Sequence, residues 1–192
     1  MKKLFAILLL AALLPLAGCE PLKKGYGLEN PEQYSHAYIA IAYGGLKSYT
    51  VVAPDTISIP LYANYSGVLE LEEDLQLEIY ANLDMVPTYN EKNYSNFPAI
   101  PEKCFTITEN QLTVPAGGTI SSKPAMVNLL TDEFADDKEY LLPVQVRVVG
   151  SKSVTPAEEL GTLYMGIICK AEEIQIRTEG LPDYEVSPDE NW

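Results

Sequence analysis

Leu75-Gln76-Leu77-Glu78-Ile79-Tyr80-Ala81-Asn82 places an apolar residue at every odd position and a more polar one at every even position. A period of two puts alternate side chains on opposite faces of a strand, one toward a core and one toward water. The same alternation recurs in Ile57, Ile59 and Leu61 against Thr56, Ser58 and Tyr62. It returns in Leu142, Val144, Val146 and Val148 against Gln145 and Arg147, and in Ile174 and Ile176 against Gln175 and Arg177. His36 to Tyr43, Ser48 to Ala53, Ala125 to Leu130 and Thr162 to Lys170 are further candidate strands. Turn signals divide them: Gly44-Gly45, Ser66-Gly67, Pro115-Ala116-Gly117-Gly118 and Val149-Gly150-Ser151. Only Glu70 to Asp74 and Thr131 to Tyr140 read as helical turns. Half-buried antiparallel strands at this spacing predict an all-β chain in which two sheets close on each other as a sandwich. Pro143 interrupts a strong strand and cannot donate to a ladder, so an edge or a bulge is its expected place.

With 47% hydrophobic and 21% charged residues, the 192-residue chain has enough apolar material for one core and is neither disordered nor fibrous. A formal charge of −14, from 13 basic and 27 acidic residues, argues against nucleic-acid binding, which needs clustered Lys and Arg to displace counterions. No repeat or heptad is visible.

The amino end carries a targeting signal. Met1-Lys2-Lys3 is a basic opening, Leu4 to Leu14 is an apolar run too short to span a bilayer, and Leu16-Ala17-Gly18-Cys19 follows at once. Those four residues resemble the lipobox of bacterial lipoproteins. Cleavage before Cys19, with a diacylglycerol on its sulfur, would anchor the chain by lipid without crossing the membrane. The expected organisation is a signal peptide over 1–18, a lipidated tether over 19–33, a sandwich domain over 34–177 and an acidic tail over 178–192. Loss of Lys2 and Lys3 leaves 11 basic residues against 27 acidic ones, which disfavours lying flat on anionic lipid.

Outside the cytoplasm Cys104 and Cys169 could pair. The local pattern opposes it: Phe105 and Ile107 form the apolar face beside Cys104, leaving Cys104 on the polar face, whereas Cys169 continues the apolar series Leu163, Met165 and Ile167.

Three segments taken together carry a family resemblance. Tyr34-Ser35-His36-Ala37-Tyr38-Ile39 is the first. The second runs from Tyr89-Asn90 through Phe97-Pro98 to Phe105 and the turn Leu112-Thr113-Val114-Pro115-Ala116-Gly117. Tyr140-Leu141-Leu142-Pro143-Val144 is the third. They resemble the Bacteroidetes lipoprotein domain of unknown function with an immunoglobulin-like fold, common at the amino end of proteins from polysaccharide-utilisation loci. The resemblance covers roughly residues 34 to 170. It implies an immunoglobulin-like antiparallel β-sandwich of about 8–9 strands. In that family the domain usually precedes a second module, such as a discoidin-like or laminin-G-like domain or a glycoside hydrolase. It also implies attachment to the outer membrane, the cell surface being favoured over the periplasmic face. Asp55-Thr56-Ile57 resembles the short O-glycosylation acceptor of these bacteria, making Thr56 a candidate for modification.

Catalytic chemistry has little to work with. His36 is the sole histidine, no nucleophile elbow is present, and a zinc site would need more His and Cys ligands than the chain has. The carboxylate clusters Glu70, Glu72, Glu73, Asp74 and Asp132, Glu133, Asp136, Asp137 read as solvated acidic turns, the second lacking the glycine of an EF-hand loop. No enzyme activity, cofactor or metal is expected. Sugar binding is the sharper prospect: 13 tyrosines against four phenylalanines and one tryptophan suit a wet platform, since tyrosine joins a flat apolar face to a hydroxyl. Tyr89, Asn90, Asn93, Tyr94, Asn96 and Phe97 gather rings and amides in one loop between strands, although rings there can equally pin a long loop to its sandwich. The expected partners are the membrane through Cys19, a polysaccharide and an outer-membrane protein, with no nucleic acid. The rival expectation is a scaffold or adhesin component without glycan affinity, adding a strand to a partner at a sheet edge.

Overall fold

The computed structural model describes residues 28–52, 56–131, 134 and 138–170. Its strands are β1 (His36–Ile39), β2 (Lys47–Val52), β3 (Thr56–Leu61), β4 (Ala63–Ser66), β5 (Leu75–Ala81), β6 (Phe105–Thr108), β7 (Gln111–Val114), β8 (Ala125–Leu130), β9 (Glu139–Val149), β10 (Thr155–Pro156) and β11 (Thr162–Lys170). One helix, α1 (Met85–Asn93), lies between β5 and β6. The protein is all-β, as the alternation predicts, and β8 and β11 have the bounds read from the sequence. The count rises above the expected eight or nine because the short β4, β7 and β10 carry too few residues to show a period.

A five-stranded sheet in the order β2-β11-β9-β5-β7 forms one layer. The other layer is built from two three-stranded sheets, β10-β1-β4 and β3-β8-β6. They form one bent surface, because only Tyr62 separates β3 from β4, and the segment leading into β8 runs beside β4. Tyr65 N donates to Thr119 O at 2.9 Å and Ser121 N to Ala63 O at 2.8 Å. Inward positions of both layers meet in a single core. Leu77 and Ile79 of β5, Leu142, Val144 and Val146 of β9, and Leu163, Met165 and Ile167 of β11 are buried with Ile39, Leu61, Val127 and Leu129 opposite. Removing each such side chain from water is worth about 1.5–3 kcal/mol, which makes this layer pairing the main source of stability. Gly44 and Gly45, at φ 86° and 81°, make the turn into β2 that a side chain would strain.

Several expectations are corrected. Glu70 to Asp74 is not a helical turn; Asp74 instead caps the neighbouring turn, its Oδ1 accepting from Ala116 N at 2.9 Å. The strand expected over His36 to Tyr43 ends at Ile39 and gives way to a 3-10 turn at Ala40–Ala42. Of Thr131 to Tyr140, Glu139 and Tyr140 already belong to β9, and 132, 133 and 135–137 lie outside the described residues. Pro143 sits neither on an edge nor at a bulge: β9 is the central strand of its sheet, and Pro143 pairs with Tyr164. The Pro143 carbonyl accepts from Asn82 N at 3.0 Å, so its nitrogen faces the same side. There β5 has just ended, its last pair being Ala81 with Val144, so the missing N–H falls at the end of the ladder. Cys19, Ile174, Ile176 and the 178–192 tail lie outside the described residues.

Candidate functional site

The segment from Tyr89 to Phe97 is not a plain loop. Its first half is α1, which lays only Val86 into the interior and ends where Tyr94 turns to φ 53°, ψ 40°. The helix end is closed by backbone bonds from Tyr94 N and Ser95 N to Asn90 O. Asn90 then ties the return leg with its side chain. Its Nδ2 donates to Phe97 O at 2.8 Å, while its Oδ1 accepts from Phe97 N and Ser95 Oγ, each at 3.0 Å. This bracket gives both polar atoms of one amide a partner and fixes the hairpin as a unit.

Aromatic packing fastens that unit to the sheet. The Tyr89 ring lies 4.5 Å from Tyr164 of β11 and 6.1 Å from Phe97, centroid to centroid, within the range of favourable tilted pairs. Burial raises the Tyr89 hydroxyl above the ordinary tyrosine pKa, and the Glu139 carboxylate raises it further. Tyr164 is raised by burial and by Tyr89. Of the six residues singled out in the sequence, Tyr89, Asn90 and Phe97 therefore hold the hairpin. Asn93, Tyr94 and Asn96 face solvent, Tyr94 at 99% exposure. Asn93 Nδ2 folds back onto Tyr89 O at 2.8 Å. Tyr164 and Glu139 complete the cluster from far along the chain, and no local signal in the sequence announces them.

Beside the hairpin, the outer face of the five-stranded sheet carries a polar strip. Gln145 Oε1 accepts from Tyr80 OH at 2.9 Å and from Asn82 Nδ2 at 2.7 Å, and Gln145 Nε2 donates to Thr162 Oγ1 at 2.8 Å. Arg147 lies 5.2 Å from the Tyr80 ring centroid and pairs with Glu78, Nε to Oε2 at 2.8 Å. The alternation around Tyr80 and Gln145 places these residues outward, and the structure keeps them there.

Two hollows flank the sandwich. One, of about 640 Å³, has an acidic rim that includes Glu32, Glu70 and Glu72 to Asp74, over a floor where Ser35 Oγ and Tyr65 OH lie 3.2 Å apart. The other, of about 460 Å³, opens between β5 and β6 onto Ile79, Ala81, Leu83, Phe105 and Ile107. Among the described residues no group of three or more His, Cys, Asp or Glu is arranged to hold a metal. Asp132, Glu133, Asp136 and Asp137 lie outside the described residues. His36 opens β1 with its Nδ1 3.2 Å from Thr155 Oγ1, a contact that helps join β1 to β10. Thr56 is the exposed first residue of β3, and Asp55 lies outside the described residues. Cys104 is buried, not on a polar face, because the 3-10 turn Glu102–Cys104 breaks the alternation just before β6.

Residues 32–153 match a family model described as an N-terminal domain. The chain belongs to this family of N-terminal domains. No curated protein matches it. Among solved structures, a Bacteroides ovatus protein provisionally assigned to carbohydrate binding is similar to it, with a TM-score of 0.59 and 14% identity over 70% of this chain and 37% of that one. A two-domain Bacteroides fragilis protein of unknown function has a TM-score of 0.57 and 12% identity over 80% of this chain and 51% of that one. EndoBT-3987 of Bacteroides thetaiotaomicron, determined with a Man5GlcNAc product, has a TM-score of 0.50 and 16% identity over 69% of this chain and 30% of that one. The chain thus spans from about a third to half the length of these proteins, and at such identities the likeness is one of fold. The resemblance to a Bacteroidetes domain of unknown function, drawn from residues 34 to 170, is borne out by the family match and these neighbours.

Proposed function

We propose that the protein is a non-catalytic, lipid-anchored outer-membrane module that assists glycan capture, with Tyr94, Asn93 and Asn96 as its contact surface. The observation that carries this reading is the state of Tyr94. A residue with a Cβ in the left-handed region costs about 1–2 kcal/mol, and glycine is the usual occupant of such a helix end. Tyr94 accepts that conformation while its ring, at 99% exposure, packs on nothing. A flat ring presented by a hairpin braced through Asn90 and Tyr89 suits stacking on a pyranose, with exposed amides alongside for hydroxyls. The Bacteroides ovatus neighbour assigned to carbohydrate binding and the endoglycosidase neighbour support a glycan setting.

Screening the purified protein against a polysaccharide panel, wild type beside Tyr94→Ala, tests the site. Binding lost in a variant that melts like wild type supports it; no binding across a broad panel rejects it. The second reading, a protein-interaction scaffold, is favoured by the open apolar hollow between β5 and β6, and a pull-down from outer membranes would then return a partner. Anchoring is tested separately: Cys19→Ser should move the protein from the membrane to the soluble fraction.

A further inference from the structure

We propose that Cys104 and Cys169 form a disulfide that ties the two layers of the sandwich together. Both lie in the one core cluster, at 0% and 1% exposure. Both also converge on the same end of β8. In the antiparallel β6·β8 register Phe105 stands opposite Leu129 and Thr106 opposite Asn128, so the residue before Phe105 falls beside Leu130. Opposed residues in such a ladder are about 4.5–5.5 Å apart. The turn Glu102–Cys104, closed by Cys104 N to Pro101 O at 2.9 Å, rotates Cys104 inward. From the facing sheet, Cys169 is the last inward residue of β11, and its Sγ lies 3.8 Å from the carbonyl oxygen of Thr131, the residue after Leu130. One sulfur thus reaches the end of β8 from the side and the other from across the core. The structure does not join the two sulfurs; a disulfide between them requires Cα atoms about 4.4–6.8 Å apart, and the end of β8 is where the two residues come together.

Formation removes one proton from each thiol and two electrons in all. The electrons reduce the disulfide of a second reactant, oxidised glutathione or a thiol–disulfide oxidoreductase, which takes up the two protons and leaves as two thiols. Because both cysteines are buried in the folded chain, that exchange belongs to folding, before the layers close. Its occurrence in the cell rests on the export proposed above; its chemistry does not.

The full chain, reduced and denatured, is refolded in a glutathione redox buffer, alkylated, and digested without reductant for mass spectrometry. The expected product joins the Cys104 and Cys169 peptides at about 2 Da below their summed mass, leaving Cys19 alkylated. Oxidised protein should melt roughly 10 °C above the reduced form, given the length of the closed loop. Recovery of Cys104 and Cys169 as separate alkylated peptides, or either of them paired with Cys19, overturns the proposal. The same mapping on protein from native membranes separates the two claims. A bridge that forms on refolding but is missing there sustains the pairing and counts against export.

Discussion

Tyr94 carries a local backbone cost that its own packing does not offset. Its ring contributes no packing and its backbone would suit glycine better, so Tyr94→Gly should raise Tm by roughly 2 °C while removing the proposed sugar contact. Thermal melts and glycan binding on the same variant check both halves. The three tyrosines held above their ordinary pKa behave differently. Tyr49, Tyr89 and Tyr164 are all raised by burial, with Glu139 adding to Tyr89. A raised acid pKa favours the neutral form in the folded state, so the unfolded chain gives up these protons first. Their stabilising contribution is complete below about pH 10 and is lost as pH climbs through the folded values. Denaturation midpoints measured from pH 8 to 11.5 should be flat and then fall, and Tyr89→Phe with Tyr164→Phe should soften that fall.

Among the elements, α1 depends on a side-chain bracket more than on its own amphipathicity. Asn90→Ala removes three hydrogen bonds and leaves the Phe97 amide without its partner, so a loss of about 1–3 kcal/mol is expected in chemical denaturation. If the proposed site is right, glycan binding weakens as well, because the tip loses its support. The strands were legible because burial on one face imposes a period of two, clearest in β5, β8, β9 and β11. The helix was not, because only Val86 enters the core and no apolar stripe marks it. Asp84 followed by Pro87 in the first turn was the available hint of a helix start. Cys104 and Pro143 were misplaced for a related reason. Alternation says nothing of a 3-10 turn that resets the facing, or of where a neighbouring strand stops. Of the candidate site, the tip residues could be read from composition, but Tyr164 and Glu139 reach it only through the sheet.

Taken as a whole, the sandwich joins distant parts of the chain in parallel on both layers. β1 takes β10 beside it, and β2 takes β11, matched from Lys47 with Met165 to Val52 with Lys170. The remaining strand pairs are antiparallel. A pull applied between the start of β2 and the end of β11 draws the two strands in opposite directions along their length. Their hydrogen bonds lie across that direction, so they share the tension and fail together instead of opening one by one. Single-molecule extension between handles at Lys47 and Lys170 should show one high-force rupture, lowered by one of Tyr49→Pro and Thr50→Pro, neighbours of which only one turns its N–H toward β11. Between those two points the β2–β11 pairing is a mechanical clasp.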